Sequence, residues 1–109
     1  LSEISLFTRS TKQITKTKTS TYKSASGKSM WSVSITGTFT YNGSSAKCVS
    51  CSHSSKTYTT NWTIKSISSS KKDNSATVNA VVVHTYNNTC KTNINKNVTI
   101  TCSKNGTIS

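Results

Sequence analysis

Carboxylate side chains are almost missing from this chain: Glu3 and Asp73 are the only two among 109 residues. Hydrolysis by paired carboxylates needs two such groups close together, so the sequence argues against that chemistry. His53 and His84 are the only histidines, and no nucleophile-elbow or phosphate-binding motif accompanies them. A Ser-His-Asp set assembled from Asp73 and His84 has no sequence signature of its own. We therefore predict a protein that is not an enzyme and carries no cofactor.

Proline is absent, and no apolar run is long enough for a membrane helix or a signal peptide. The chain begins at Leu1 rather than at a methionine, as expected of a mature chain whose signal peptide has been removed or of a cut within a longer protein. Apolar residues make up only 31%, while 22 Ser and 20 Thr account for much of the rest. We predict a secreted, extracellular bacterial domain with a thin core and no membrane span.

Apolar and polar residues alternate with a period of two, which predicts β-strands and no helices. The clearest strand is 30–41, where Trp31, Val33, Ile35, Phe39 and Tyr41 share one face. Val81, Val82 and Val83 are apolar on both faces, which predicts a central strand. Further strands are expected at 11–22, 57–68, 76–86 and 92–102, with a short strand or loop at 45–52. Turns are expected at 24–28, 42–43, 68–74 and 87–88.

About six strands in about 100 residues are typical of a small immunoglobulin-like antiparallel β-sandwich, with a small β-barrel as the alternative. Residues 1–10 are expected to form an irregular lead-in whose Ile4, Leu6 and Phe7 pack onto the domain. Residues 11–109 are expected to form a single domain. Trp31 and Trp62 are the predicted centre of its core.

Four cysteines in a short chain indicate disulfides formed in an oxidising compartment. Cys102 shares the inward phase of Val98 and Ile100, so we favour a nested pairing of Cys48 with Cys102 and Cys51 with Cys90. Pairing of Cys48 with Cys51 and of Cys90 with Cys102 is the alternative. Two other uses of the CxxC at 48–51 are disfavoured. A redox pair needs a βαβ context, and a zinc site that includes His53 lacks a second CxxC.

The net charge of +12 favours anionic partners. The local cluster of lysines is Lys12, Lys16, Lys18 and Lys23, which we predict to contact a polyanion. No aromatic-interleaved RNA-binding signature accompanies these lysines, so nucleic acid is disfavoured. The alternative is that the lysines bind no specific partner and only keep the domain soluble and protect its edge strands.

Hydroxyl side chains form two alternating rows, and they would make flat arrays if their strands are adjacent. Such arrays occur in ice-binding and carbohydrate-binding faces. Exposed strand faces are also ordinarily rich in Ser and Thr, and this is the explanation we favour. The rows are Thr15, Thr17, Thr19 and Thr21, and Ser32, Ser34, Thr36, Thr38 and Thr40.

The stretches TKTKTSTYKSASGKSMWSVSITGTFTYNGSSAKC (15–48) and VTITCSKNGTIS (98–109) resemble a group of small exported proteins of Gram-positive, clostridia-like bacteria. The matching positions are Trp31, Asn42, Gly43, Cys48 and Cys102. The resemblance implies export and a small β fold, but no function. It also makes Cys51 and Cys90 an additional pair, which again favours the nested disulfides.

We therefore predict an exported or cell-surface binding module. Its partner is expected to be an anionic cell-wall polymer, a host glycan polymer or another protein. The alternative is a cationic toxin-like or antimicrobial effector.

Overall fold

The computed structural model describes residues 11–86 and 89–109, with side chains for all of these except 86 and 89–91. Six antiparallel strands and no helix occupy this part of the chain. The expected lead-in at 1–10 and the expected turn at 87–88 lie outside the described residues. The strands are β1 (Lys12–Lys23), β2 (Ser29–Tyr41), β3 (Ala46–Thr57), β4 (Trp62–Lys72), β5 (Ser75–Tyr86) and β6 (Thr89–Thr101).

The strands form two three-stranded sheets, with orders β1-β2-β3 and β4-β5-β6. The prediction of an all-β antiparallel fold is therefore confirmed. The immunoglobulin-like order is not found, because each strand pairs with its neighbour in sequence. An immunoglobulin sandwich instead needs Greek-key connections that place non-consecutive strands side by side. As predicted from its run of valines, β5 is the central strand of its sheet.

The boundaries of β3 and β4 differ from the prediction. β3 continues to Thr57, where it still pairs with Trp31 of β2. The following connection, 58–61, includes the exposed Tyr58 and lies within the strand that was expected over 57–68. β4 continues through the polar run at 68–72, because this run pairs with 75–79 of β5. Pairing with a neighbouring strand thus overrides the weak β preference of serine and lysine.

One core joins the two sheets, and it is built from the inward-facing positions of every strand except β1. Trp31 and Trp62 belong to this core, as predicted, but they lie near one end of it. Ile35, Phe39 and Ile100 are its largest fully buried side chains. The buried apolar set is Trp31, Val33, Ile35, Phe39, Cys48, Trp62, Ala76, Val78, Ala80, Val82, Val98, Ile100 and Cys102.

Two turns close the end of the molecule opposite the tryptophans. Asn42 Oδ1 accepts hydrogen bonds from the backbone N–H groups of Ser44 and Ser45, which stabilises the predicted turn between β2 and β3. The chain after β6 folds back, so that Ser109 and Thr101 exchange two backbone hydrogen bonds. Gly106, in the turn of this terminal hairpin, has a φ of 86°, and a Cβ there would lie 2.5 Å from the ring of Tyr41. Only glycine fits this position.

Candidate functional site

Strands β1 and β6 are edge strands of different sheets, and no backbone ladder joins them. Two open grooves of about 280 and 260 Å³ follow one another between them. A hydrogen bond links these strands: Lys18 Nζ donates to the carbonyl oxygen of Thr99, at 3.2 Å. We call this surface the β1–β6 seam. Its lining comprises Lys18, Thr19, Ser20, Thr21, Tyr22 and Trp31 on one side and Ile94, Asn95, Lys96, Asn97, Val98 and Thr99 on the other.

The lysines of the seam occupy inward-facing positions of β1 that the second sheet does not cover. Lys16 pairs with Gly37 and Lys18 with Ile35, so both take the face that is buried on β2. On β1 this same face is only partly covered: Ile14 and Ser20 are half-buried, while both lysines are exposed. β6 adds Lys96, which is half-buried and lines both grooves. The sequence prediction missed Lys96, although its place between Ile94 and Val98 in the inward phase was a visible signal.

The other two predicted lysines lie at the ends of β1. Lys12 pairs with Tyr41 and lines a separate pocket of about 220 Å³ together with Lys104 and Asn105. Lys23 pairs with Ser29 beyond a β-bulge next to the first turn. These two lysines lie eleven positions apart along the strand, a distance of about 36 Å. The structure therefore brings Lys18 together with Lys96 and places Lys16 next to Lys18 on the same face of β1, whereas Lys12 and Lys23 lie apart from them.

Four rings form a continuous cluster at one end of the seam. Tyr22 stacks on Trp31 with ring centroids 5.5 Å apart and planes at 9°. Trp62 contacts both of these rings, at 5.3 Å from Tyr22 and 6.2 Å from Trp31. His84 stacks on the other side of Trp62 at 4.3 Å. Cross-strand pairing produces this order, because Tyr22 lies opposite Trp31 and Trp62 lies opposite His84.

The cluster is buried at its centre and exposed at its seam end. Trp31 is only 2% exposed, whereas Tyr22 is 42% exposed. The indole Nε1 of Trp31 is buried, and no acceptor among the described residues reaches it. A buried N–H without a partner costs about 1–3 kcal/mol, so it is a rare feature in a folded domain.

The two predicted hydroxyl rows lie on adjacent strands, which is the condition for a flat array. Thr15 bonds to Thr38 at 2.9 Å, and Thr17 bonds to Thr36 at 2.7 Å. Thr19 continues the series with Ser34 at 2.7 Å. The register extends the array onto β3, where Ser50, Ser52 and Ser54 lie opposite Thr38, Thr36 and Ser34. The middle of the outer face of the first sheet is therefore a hydroxyl surface, and Lys47 and Lys56 of β3 lie at its two ends. Lys16 and Lys18 of β1 lie on the other face.

The cysteines for which the structure describes a side chain are free thiols: Cys48, Cys51 and Cys102. Cys48 Sγ donates to the carbonyl oxygen of Ser50 at 3.2 Å, and Cys102 Sγ donates to that of Ser103 at 3.3 Å. The predicted bridge between Cys48 and Cys102 is thus not formed here. Both residues nevertheless flank one turn, since the N–H of Cys48 bonds to Asp73 O and that of Cys102 to Asn74 O.

The second predicted pair is not brought together. Cys51 lies opposite Gly37 of β2, which is six residues along the strand from Trp31. The backbone of Cys90 lies opposite Thr85, next to His84 and at the tryptophan end of the molecule. Strand geometry puts about 20 Å or more between the two positions, and one disulfide spans at most about 7 Å between Cα atoms. The side chain of Cys90 itself lies outside the described residues.

Burial controls the chemistry of the two core thiols. It raises the pKa of the Cys48 thiol above its ordinary value, and the nearby Cys51 raises it further. Burial also raises the pKa of Cys102. Within the described residues, no group of three or more Cys, His, Asp or Glu side chains converges as a metal site would require.

The remaining titratable residues are dispersed. His53 Nδ1 hydrogen-bonds to Ser69 Oγ at 2.8 Å, across the edge where β3 meets β4. Asp73 lies in the turn before β5 and His84 near the end of that strand. More than 30 Å of strand therefore separates Asp73 from His84, and the two do not form part of one catalytic set. His84 is half-buried at the edge of the core, as its phase predicted.

No helix in the described part of the chain is long and apolar enough to cross a membrane. Comparison with known proteins adds no relative. No protein-family model matches the sequence, and neither a curated protein nor a solved structure does.

Proposed function

We propose that the protein is an exported binding module that holds an anionic polymer along the β1–β6 seam. The observation that carries this proposal is that Lys18 and Lys96 line one open groove, with Lys16 next to Lys18 on the same face of β1. Asp73 is the single carboxylate side chain in the described part of the chain, and it lies in the turn after β4. The positive charge of the seam is therefore not compensated locally, and a negatively charged chain would be attracted to it.

The strand geometry suits an extended ligand. Lys16 and Lys18 are two residues apart on one strand, which places them on the same face and about 6.6 Å apart. Lys96 adds a third ammonium group from the opposite wall of the groove. A polymer that repeats its charges can contact all three at once, and such multiple contacts compensate for the small contribution of each exposed ion pair.

Export is part of the proposal, and so is a disulfide between Cys48 and Cys102 in the oxidised protein. The support is the pattern of four cysteines in a short chain. Further support comes from the common turn, 73–74, to which the backbones of Cys48 and Cys102 are both bonded.

A binding titration with two matched triple variants tests the proposal. The seam variant carries Lys16→Gln, Lys18→Gln and Lys96→Gln, and the control carries Lys47→Gln, Lys65→Gln and Lys72→Gln. The control lysines are exposed residues of β3 and β4 on the other edges of the two sheets, so both variants lose the same charge.

Polygalacturonate and polyphosphate are titrated at low and at high salt. We expect the seam variant to bind each polymer about ten-fold more weakly and with a reduced salt dependence, since three exposed contacts together contribute about 1–2 kcal/mol. The control should retain most of the affinity. Equal losses in both variants would mean that net charge alone attracts the polymer, and the seam would then have no special role.

The alternative function, a cationic effector that disrupts anionic membranes, has weaker support. Such proteins insert a contiguous apolar surface into the bilayer. The exposed large apolar residues in the described part of this chain are Tyr22, Val49 and Tyr58, which lie on β1, on β3 and in the following connection. Leakage of anionic vesicles at micromolar protein would favour the alternative over polymer binding.

A further inference from the structure

The groove at the tryptophan end of the seam differs from the rest of it. It has a volume of about 280 Å³ and is lined by Ser20, Thr21, Tyr22, Trp31, Ile94, Asn95 and Lys96. We call it the aromatic pocket. The volume lies just below the range of about 300–1,000 Å³ that is usual for drug-sized ligands. The pocket therefore suits a single small ring rather than a large cofactor.

The lining combines an apolar surface with hydrogen-bonding groups on one rim. Tyr22 presents an exposed ring whose position is fixed, because its other face stacks on Trp31 at 5.5 Å. Ile94 adds an apolar side chain from the opposite strand. Asn95 and Lys96 contribute an amide and an ammonium group next to them. An aromatic surface with a few polar groups is the usual composition of a site for a small organic ligand.

The indole N–H of Trp31 provides a second, independent indication of a ligand. Trp31 lines the pocket, is only 2% exposed, and its Nε1 has no acceptor among the described residues. A buried donor of this kind ordinarily has a partner in the protein, in water or in a ligand. Nε1 has no accessible surface in the unbound protein, so an oxygen-rich ligand would supply that acceptor by displacing the side chains that cover it.

We infer that the aromatic pocket is a subsite for one uronic acid unit of an acidic polysaccharide. The C–H face of the sugar ring packs on Tyr22, and a ring or hydroxyl oxygen accepts a hydrogen bond from Trp31 Nε1. The carboxylate pairs with Lys96. This inference rests on the proposed function and narrows it: the lysines of the seam attract any polyanion, whereas the pocket recognises a sugar.

The two indole N–H groups of the chain provide a direct measurement. In ¹⁵N-labelled protein, Trp31 and Trp62 give two indole signals, and a Trp62→Phe variant assigns them. Tetragalacturonate is titrated as the uronate probe, and tetrapolyphosphate is titrated as an anion without a sugar ring. We expect tetragalacturonate to shift the Trp31 signal more than the Trp62 signal, and tetrapolyphosphate to leave the Trp31 signal in place.

A pair of tyrosine variants tests the stacking surface. Tyr22→Ala removes the ring in the pocket, and Tyr58→Ala removes a ring of similar exposure (46% against 42%) outside the seam. We expect Tyr22→Ala to weaken tetragalacturonate binding about ten-fold and to leave the affinity for tetrapolyphosphate within about two-fold. Tyr58→Ala should change neither affinity.

The outcomes separate the two proposals. If tetragalacturonate binds with no preferential shift at Trp31, or equally well to Tyr22→Ala, the sugar subsite is overturned, while polymer binding along the seam still stands. If neither anion binds the unaltered protein at low salt, both the proposed function and the subsite are overturned.

Discussion

The ring of Phe39 covers the position where Gly37 lacks a side chain. A Cβ built on Gly37 would lie 2.6 Å from Cζ of that ring, which is shorter than any ordinary contact. Phe39 is fully buried, so its ring has little freedom to move away. We expect Gly37→Ala to lower the free energy of unfolding by about 1–3 kcal/mol, the usual cost of overpacking a core. Denaturant unfolding of the two proteins measures this difference.

A second variant identifies the cause. In a Phe39→Leu background the ring is gone, so Gly37→Ala should cost much less there than in the unaltered protein. An equal cost in both backgrounds would show that the backbone at Gly37, rather than contact with the Phe39 ring, requires glycine.

The period-two pattern was sufficient to predict most of the fold. It identified β2, whose apolar and polar residues alternate, and the threonine row on one face of β1. The central position of β5 was predicted instead from its run of valines, which is apolar on both faces. The period-two pattern could not locate the boundary between β3 and β4. Segments 52–57 and 65–72 are almost entirely polar, and only pairing with their neighbours defines them as strands. Strand order depends on contacts between distant segments, and these leave no local pattern.

The candidate site was predicted only in part. The sequence indicated Lys16 and Lys18 as members of one local cluster with Lys12 and Lys23, and Lys16 and Lys18 do share a strand face. It could not show that this face is open on β1 while it is buried on β2, since that depends on how far the second sheet extends. For the same reason the aromatic pocket was missed, and so was the groove that Lys96 shares with Lys18. These join residues more than 70 positions apart in the chain, such as Tyr22 and Ile94.

The four lysines of β1 should differ in their effect on polymer binding. The double variant Lys16→Gln/Lys18→Gln removes charges from the middle of β1, beside the seam. The double variant Lys12→Gln/Lys23→Gln removes charges at the two ends of β1. Because the change in net charge is the same, we expect the first variant to weaken polygalacturonate binding several-fold more than the second. Isothermal titration at low salt compares them, and equal affinities would argue against a ligand centred between β1 and β6.

The hydroxyl pairs should stabilise the first sheet by a small, measurable amount. Thr17 and Thr36 hydrogen-bond to each other at 2.7 Å on an exposed face. A double-mutant cycle with Thr17→Val and Thr36→Val should give a coupling energy of about 0.2–1 kcal/mol. A cycle that combines Thr17→Val with Thr77→Val, on the other sheet, should give none. Coupling of zero in both cycles would mean that water competes fully for these hydroxyls.

The reduced protein should show an order of thiol reactivity. Cys51 is only partly buried, whereas Cys48 and Cys102 are buried and have raised pKa values. Since the thiolate is the reactive form, iodoacetamide should label Cys51 first among these three at pH 8. Peptide mass spectrometry at successive times measures the order. Early labelling of Cys102 would contradict its burial in the native core.

The same burial links stability to pH. The pKa of the Cys48 and Cys102 thiols is raised by burial in the folded state, while in the unfolded chain they ionise near their ordinary pKa of about 8.5. Their contribution to stability is therefore complete below that pH, and it decreases as the pH rises above it. Unfolding of the reduced protein at pH 7 and pH 9.5 should show this loss. Cys51→Ser should show a smaller loss than the unaltered chain, because it leaves both buried thiols in place but removes the neighbour that further raises the pKa of Cys48.

Oxidation should join Cys48 to Cys102. Their backbone N–H groups bond to the carbonyls of Asp73 and Asn74, at 2.7 and 3.0 Å, so both cysteines are tied to one turn. Each thiol now donates to a backbone carbonyl, and rotation of the two side chains would release them to react. A bridge would close a loop of about 54 residues and stabilise the fold by up to about 4 kcal/mol in the chain-entropy model.

Protein refolded in a glutathione buffer, then digested without reduction, should yield a cross-linked peptide that contains Cys48 and Cys102. A Cys51→Ser variant should yield the same peptide, because Cys51 takes no part in the bridge. A peptide that links Cys48 to Cys51 instead would show that neighbours on one strand pair more readily than neighbours across the turn. In that case β3 would carry a local bridge, and the last strand would be held by packing and hydrogen bonds without a covalent link to Cys48.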